Sequence, residues 1–173
     1  MAVRHLAGLG HKRIGFIIGD RTVAEARDRE AGIRCAVMDH TKMDLPTTMM
    51  LTRRVKPALA PQGYEAALEL LRSVPRPTAL FCAAGDLVAE GAYQAAAKLG
   101  LRVPEDLSIL GYDDLPVAQT LQPALSTLHQ PLEQMGAQLA ARLVQAAAGT
   151  APAEQQSVKP GLMQRQSCAA PTP

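Results

Sequence analysis

Residues 77–114 constrain the fold of this chain more than any other stretch. They read PTALFCAAGD, then LVAEGAYQAAAKLG, then LRVPEDLSILGYDD. Ala79 to Ala84 is a short apolar run closed by Gly85-Asp86. Leu87, Ala89, Ala92, Ala95, Ala96 and Leu99 then recur at helical spacing. Asp86 stands where its carboxylate can cap that helix, and Gly100 where a left-handed residue can stop it. Leu107 to Leu110 is a second apolar run, ending in Gly-Tyr-Asp-Asp. Strand, helix and strand at this length predict a βαβ unit with parallel strands and a right-handed crossover. Ligands of such sheets bind outside the carboxyl ends of the strands. Here those ends carry Gly85, Asp86, Tyr112, Asp113 and Asp114.

The flanking sequence extends the pattern. Residues 2–10 predict a helix stopped by Gly8 and Gly10. Ile14 to Ile18 predicts a buried strand closed by Gly19-Asp20, and Val23 to Met38 a helix carrying Arg29 near its start. Gly32 inside that helix costs about 1 kcal/mol relative to alanine, which a close helix–sheet approach would justify. Residues 40–62 are the least legible, with Thr47 to Leu51 a strand candidate and Pro57 and Pro61 bounding a loop. Gly63 to Ser73 predicts an amphipathic helix with Ala67, Leu70 and Leu71 inward. Further on come a short helix at Leu115 to Thr120, a strand between Pro123 and Pro131, and a long helix from Leu132 to Ala148. Ala151 to Gln156 reads as a linker, Ser157 to Gln166 as two short strands around Pro160-Gly161, and Cys168 to Pro173 as a frayed end.

Composition removes several classes of function. Hydrophobic residues are 47% of the chain and aromatics 3%, so the core is aliphatic and alanine-rich. The net charge of +2 lacks the clustered Lys and Arg of a phosphate-binding surface. The three cysteines have no metal-ligand spacing and suit a reducing compartment. With neither a signal sequence nor an 18-residue apolar run, the expected location is the cytoplasm. Gly8-Leu9-Gly10 precedes a strand instead of following one, which argues against a nucleotide loop. No nucleophile stands at motif spacing from a base, so an enzyme is not expected, nor a cofactor or metal.

The motifs HLAGLGHKRIGFIIGD, Arg29-x-x-Gly32, Gly63-Tyr64, PTALFCAAGD, VPEDLSILGYDD, PALSTLHQP and LMQRQS stand in the order and register of LacI/GalR-type transcription regulators. The chain resembles the effector-binding part of that family. The resemblance implies an α/β, doubly wound parallel-sheet lobe of the periplasmic-binding-protein-like class I fold, its C-terminal subdomain. It implies one partial domain over 1–173. The core lobe is about 12–130 with 157–167, and two helices, about 2–10 and 132–148, remain from the other lobe. Those helices should show apolar faces without partners. The DNA-binding headpiece is not expected within these residues.

The same resemblance implies effector contacts for Arg29, Asp86, Asp113, Gly85 and Tyr112. Arg29 would act as a forked donor and Asp113 as an acceptor. Asp86 would serve as ligand contact or helix cap, and Tyr112 as a packing residue. Gly85 departs from the family pattern, which has asparagine there. The effector would be a sugar, a nucleoside or purine, or a similar small molecule. Leu87, Val88, Gly91, Ala95 and Leu115 resemble the family's dimer surface. The implied function is effector sensing and dimerisation in a bacterial repressor, with operator DNA reached only through the headpiece and no membrane partner. The alternative is a fragment of a periplasmic sugar-binding protein of an ABC transporter, which shares the bilobed fold.

Overall fold

The computed structural model describes residues 1–41, 51–150 and 158–172. Five strands lie parallel: β1 (Ile14–Gly19), β2 (Leu51–Val55), β3 (Ala79–Cys82), β4 (Ser108–Asp113) and β5 (Ser126–His129). A sixth, β6 (Gly161–Met163), runs antiparallel to β5 at the edge. The sheet order β2-β1-β3-β4-β5-β6 reverses direction between β1 and β3. That reversal opens a crevice at the carboxyl ends of these two strands, where doubly wound sheets bind ligands.

Alternation along the strands builds two cores. Phe16, Ile18, Ala79, Phe81 and Leu110 face one side, under α1 (Ala2–Gly8) and α2 (Ala24–Thr41). Ile17, Leu80, Cys82 and Ile109 face the other, under α3 (Ala60–Leu71) and α4 (Asp86–Lys98). Small residues let α3 and α4 cross closely: a Cβ on Gly91 would lie 2.0 Å from the Ala60 carbonyl oxygen, and one on Gly63 2.3 Å from that of Val88. The short α5 (Val117–Thr120) closes this face, and α6 (Leu132–Ala147) follows β5.

Several expectations are corrected. The helix at α1 is not unpartnered: Ala2, Val3 and Leu6 are buried against the sheet and α2. Helix α6 does match the expectation, with no buried residue and Leu132, Met135, Leu139, Leu143 and Val144 all exposed. Gly32 has open space at its Cβ, so no close approach explains it. Pro61 lies inside the first turn of α3, where a missing N–H costs nothing, not in a loop. The strand expected at Thr47 to Leu51 is observed at Leu51–Val55, and positions 47–50 lie outside the described residues, as does the expected linker at 151–156. Only one short strand forms among the described residues near Pro160-Gly161.

The carboxyl-terminal segment is tied down where fraying was expected. The Ser167 hydroxyl donates to the Ile109 carbonyl (2.6 Å) and accepts from the Ser126 N–H (2.8 Å). The Ala169 N–H donates to Ser108 Oγ at 3.0 Å, and Thr172 Oγ1 to the Glu105 carbonyl at 2.8 Å. Buried His11 completes the clasp. Its Nε2 lies 2.9 Å from the Ala169 carbonyl and its Nδ1 2.9 Å from Thr78 Oγ1. A carbonyl can only accept, so Nε2 carries the proton and Nδ1 accepts from the threonine. Burial holds the ring below its ordinary titration range, in the neutral form this pattern needs.

Candidate functional site

The crevice between β1 and β3 is bridged by Arg29. Its position in the second turn of α2 brings the guanidinium back over the sheet, where Nη1 donates to the Ala83 carbonyl at 3.1 Å. The guanidinium stacks on the Tyr112 ring at 3.9 Å from its centroid. Tyr112 is thus a platform for Arg29, which a packing role at a strand end anticipated only in part. The stack holds a flat cation in one orientation while leaving its remaining N–H groups as donors.

Asp113 follows Tyr112 at the end of β4, with φ of 106°, a value rare for a residue with a side chain. Its Oδ1 accepts from the Gln130 side-chain amide. Burial pushes this carboxyl above the usual range, opposed by the Gln130 amide and the Arg29 charge. Because Arg29 stacks on Tyr112, the residue before Asp113, a cation and an acceptor stand on one rim.

Asp86 reaches the same region from α4 but turns inward. It does not cap the helix; Gly85 holds the N-cap position and no side-chain cap bond forms. Instead Oδ2 accepts the Leu115 N–H (2.8 Å) and Oδ1 the Thr127 hydroxyl (2.7 Å), in full burial. Gly111 makes room for it, since a Cβ there would lie 2.2 Å from Oδ1. Burial raises the Asp86 carboxyl, with Asp113 adding to the rise, while the Thr127 and Leu115 donors counter it. Asp86 fastens α4, β5 and the loop after β4 together. The ligand contact expected of it gives way to this structural duty.

Other residues of the site carry no local signal. Asp114, with φ of 62°, accepts from Arg165 Nη2 at 2.6 Å and lies 3.1 Å from His129 Nδ1. Glu30, one residue after Arg29 and buried, accepts from Arg21, Arg34 and Arg54, each at about 2.9 Å. These guanidiniums, Arg21 first, hold its carboxyl well below the usual range. They join the loop after β1, α2 and β2, and so steady the helix that presents Arg29. A groove of about 520 Å³ lined by Arg54, Lys56, Gln62, Tyr64, Glu65 and Gln94 contains neither Arg29 nor Asp113.

The residues expected on a dimer surface divide. Val88, Gly91 and Ala95 are buried in the packing of α4 within the chain, a correction with a plain cause: the α3–α4 crossing consumes the small side chains. Leu87 is exposed and Leu115 half-buried, so these two remain accessible.

Chemically, the rim offers directed donors and one acceptor. Among the described residues no group of His, Cys, Asp or Glu could hold a metal ion, and no helix is long and apolar enough to cross a membrane. A family model described as a periplasmic binding protein-like domain matches residues 3–168. The chain belongs to that family. Among periplasmic binding protein-like domains, it is 40% identical over 138 residues to the HTH-type transcriptional repressor PurR of Haemophilus influenzae. It is 39% identical over 136 residues to PurR of Escherichia coli. The first match covers 80% of this chain and 40% of the relative, so the chain spans less than half the length of the curated relatives it matches.

Solved structures agree. A dimeric lac repressor with an 11-residue C-terminal deletion superposes with a TM-score of 0.89 at 30% identity, over 99% of this chain and 60% of that one. A LacI family regulator from Enterococcus faecium with bound ribose gives 0.84 at 26% identity, over 98% and 61%. This lobe therefore has the architecture of LacI-type effector-binding domains.

Proposed function

We infer that this chain is the effector-sensing and dimer-forming portion of a bacterial LacI-type transcriptional repressor that works in the cytoplasm. The observation that carries the reading is the stacking of Arg29 on Tyr112, which sets a guanidinium beside the strand end that carries Asp113, near the point where the sheet reverses. An effector would offer an acceptor to the guanidinium and a hydroxyl or N–H donor to the carboxylate. Sugars, nucleosides and purines all meet that description, and the ribose in the Enterococcus relative is one example. Effector binding would favour one arrangement of the longer protein and so change how its DNA-binding segment meets the operator. A transport-binding protein shares this fold, but relatives named as repressors at about 40% identity favour the regulator. Leu87 and Leu115 would contribute to contact with a second copy.

A chimera tests the reading. This chain replaces the matching 138-residue region of the Haemophilus influenzae repressor. The chimera is expected to dimerise and to bind that relative's operator selectively in a gel-shift assay, while the 173 residues alone do not. A folded, dimeric chimera without operator binding would count against the proposal, as would selective binding by the 173 residues alone.

A further inference from the structure

Four arginines gather on one flank of α2, at the β2 edge of the sheet. Arg21 holds the Glu30 carboxylate as a fork, its Nε 3.1 Å from Oε2 and its Nη2 2.9 Å from Oε1. Arg34 Nη2 and Arg54 Nη2 each donate to Oε1 at 2.9 Å, and Arg54 Nη2 also to Oε2. Arg27 joins them through Nη1, which donates to the Arg21 carbonyl at 2.8 Å. Residues three and four apart are neighbours on a helix, so Arg27, Glu30 and Arg34 share a flank. At about 3.6 residues per turn, Glu25, Asp28 and Asp39 fall on the far side of α2. Asp20, beside Arg21 in the chain, is matched by Lys56 at 3.0 Å. Among the described residues, one carboxylate on this flank thus stands against four guanidinium groups.

Holding like charges this close costs energy that a single carboxylate offsets only in part. Glu30 is buried, and it draws guanidiniums from the loop after β1, from α2 and from β2 to one point. Their side chains nevertheless stay open to solvent, at 60% for Arg21, 54% for Arg34 and 36% for Arg54, and Arg27 is exposed. Guanidiniums fixed in this way are forked donors suited to an oxyanion. We propose that Arg21, Arg27, Arg34 and Arg54 form an oxyanion site that takes a phosphate group, with Glu30 the buried hub that preorganises it. The site is separate from the rim. Arg29 leaves α2 towards the Ala83 carbonyl beyond β3, whereas Arg54 belongs to β2, and β1 lies between those strands. No basic cluster shows in the sequence because the four arginines are spread over positions 21–54 and meet only in the fold.

The test is a titration of the ¹⁵N-labelled chain at pH 7, where a phosphate group is largely dianionic. Inorganic phosphate, ribose 5-phosphate and uncharged D-ribose are added in turn, with sodium chloride at matched ionic strength as the control for screening. The arginine Nε–H resonances are followed. Those of Arg21, Arg27, Arg34 and Arg54 are expected to shift and saturate with at least one phosphate compound, at a dissociation constant of about 1 mM. Saturation by inorganic phosphate would mark a site for the free ion. Saturation by the ester alone would mark a site that also reads the attached group, and either supports the proposal. D-ribose and chloride are expected to leave these four resonances without a saturating shift. Arg34→Gln should weaken the phosphate response about tenfold, the equivalent of about 1.4 kcal/mol. If that variant does not fold, Arg27→Gln replaces it, since Arg27 bonds a backbone carbonyl and not the hub. Shifts that never saturate, that chloride reproduces, or that the substitution leaves unchanged would overturn the proposal. None of these outcomes depends on Asp113, so the site can fail while the effector reading stands.

Discussion

Replacing Gly91 with valine is expected to cost this chain about 3 kcal/mol or more of stability. The new Cβ would fall 2.0 Å from the Ala60 carbonyl oxygen and 2.5 Å from the Tyr64 nitrogen, both backbone atoms of α3. Neither can move without shifting the helix. Parting α3 from α4 would also loosen Ala66, Ala67, Val88, Ala92 and Ala95, which fill the layer between them. Domains of this kind are stable by roughly 5–15 kcal/mol, so the loss is a large fraction of the whole. Urea denaturation of Gly91→Val beside the wild type measures it. A change below about 1 kcal/mol would mean that α3 and α4 do not cross as described.

The second large effect concerns association. Helix α6 displays Leu132, Met135, Leu139, Leu143 and Val144 with no partner among the described residues, and Leu139 and Leu143 are each more than 60% exposed. A contiguous apolar stripe of this kind drives proteins together in water. Leu139→Glu with Leu143→Glu is expected to convert a self-associating chain into a monomer or simple dimer by light scattering. Its thermal stability should change little, about 0.5 kcal/mol or less, because neither leucine packs in the core. Loss of folded structure in the double variant would show instead that α6 supports the lobe.

The sequence was most legible where the signal is local. Apolar runs of strand length at Ile14 to Ile18 and Ala79 to Ala84, and the helical spacing from Leu87 to Leu99, led to β1, β3 and α4 within a few residues. The position of Arg29 just after β1 and of Asp113 at the end of β4 followed from topology, because parallel strands bring their carboxyl ends to one side. What remained hidden depends on partners far along the chain. Asp86 was read as a cap from its neighbours, yet it bonds Thr127, 41 positions away. His11 and Ala169 stand 158 positions apart, and nothing near Cys168 to Pro173 announces that this end is clasped.

Glu30 looked like one more charge on a polar helix. Its burial depends on arginines from three separate elements. The small residues of α4 suggested a surface for a second copy, when the closest demand on them comes from α3. Positive backbone angles at Asp113 and Asp114 were invisible, since aspartate does not advertise them as glycine does.

The rim itself can be interrogated by titrating the ¹⁵N-labelled chain with D-ribose and with adenine while following its amide resonances. One lobe supplies only part of a cleft, so binding should be weak, with a dissociation constant on the order of 1 mM, about −4 kcal/mol. The shifts are predicted to centre on Ala83, Gly85, Tyr112, Asp113 and Gln130 in at least one titration, and to vanish in Asp113→Asn. Shifts centred instead on the opposite end of the sheet, around Ser108, Ser167 and Ala169, and indifferent to that substitution, would contradict the assignment of Arg29 and Asp113 as the effector wall.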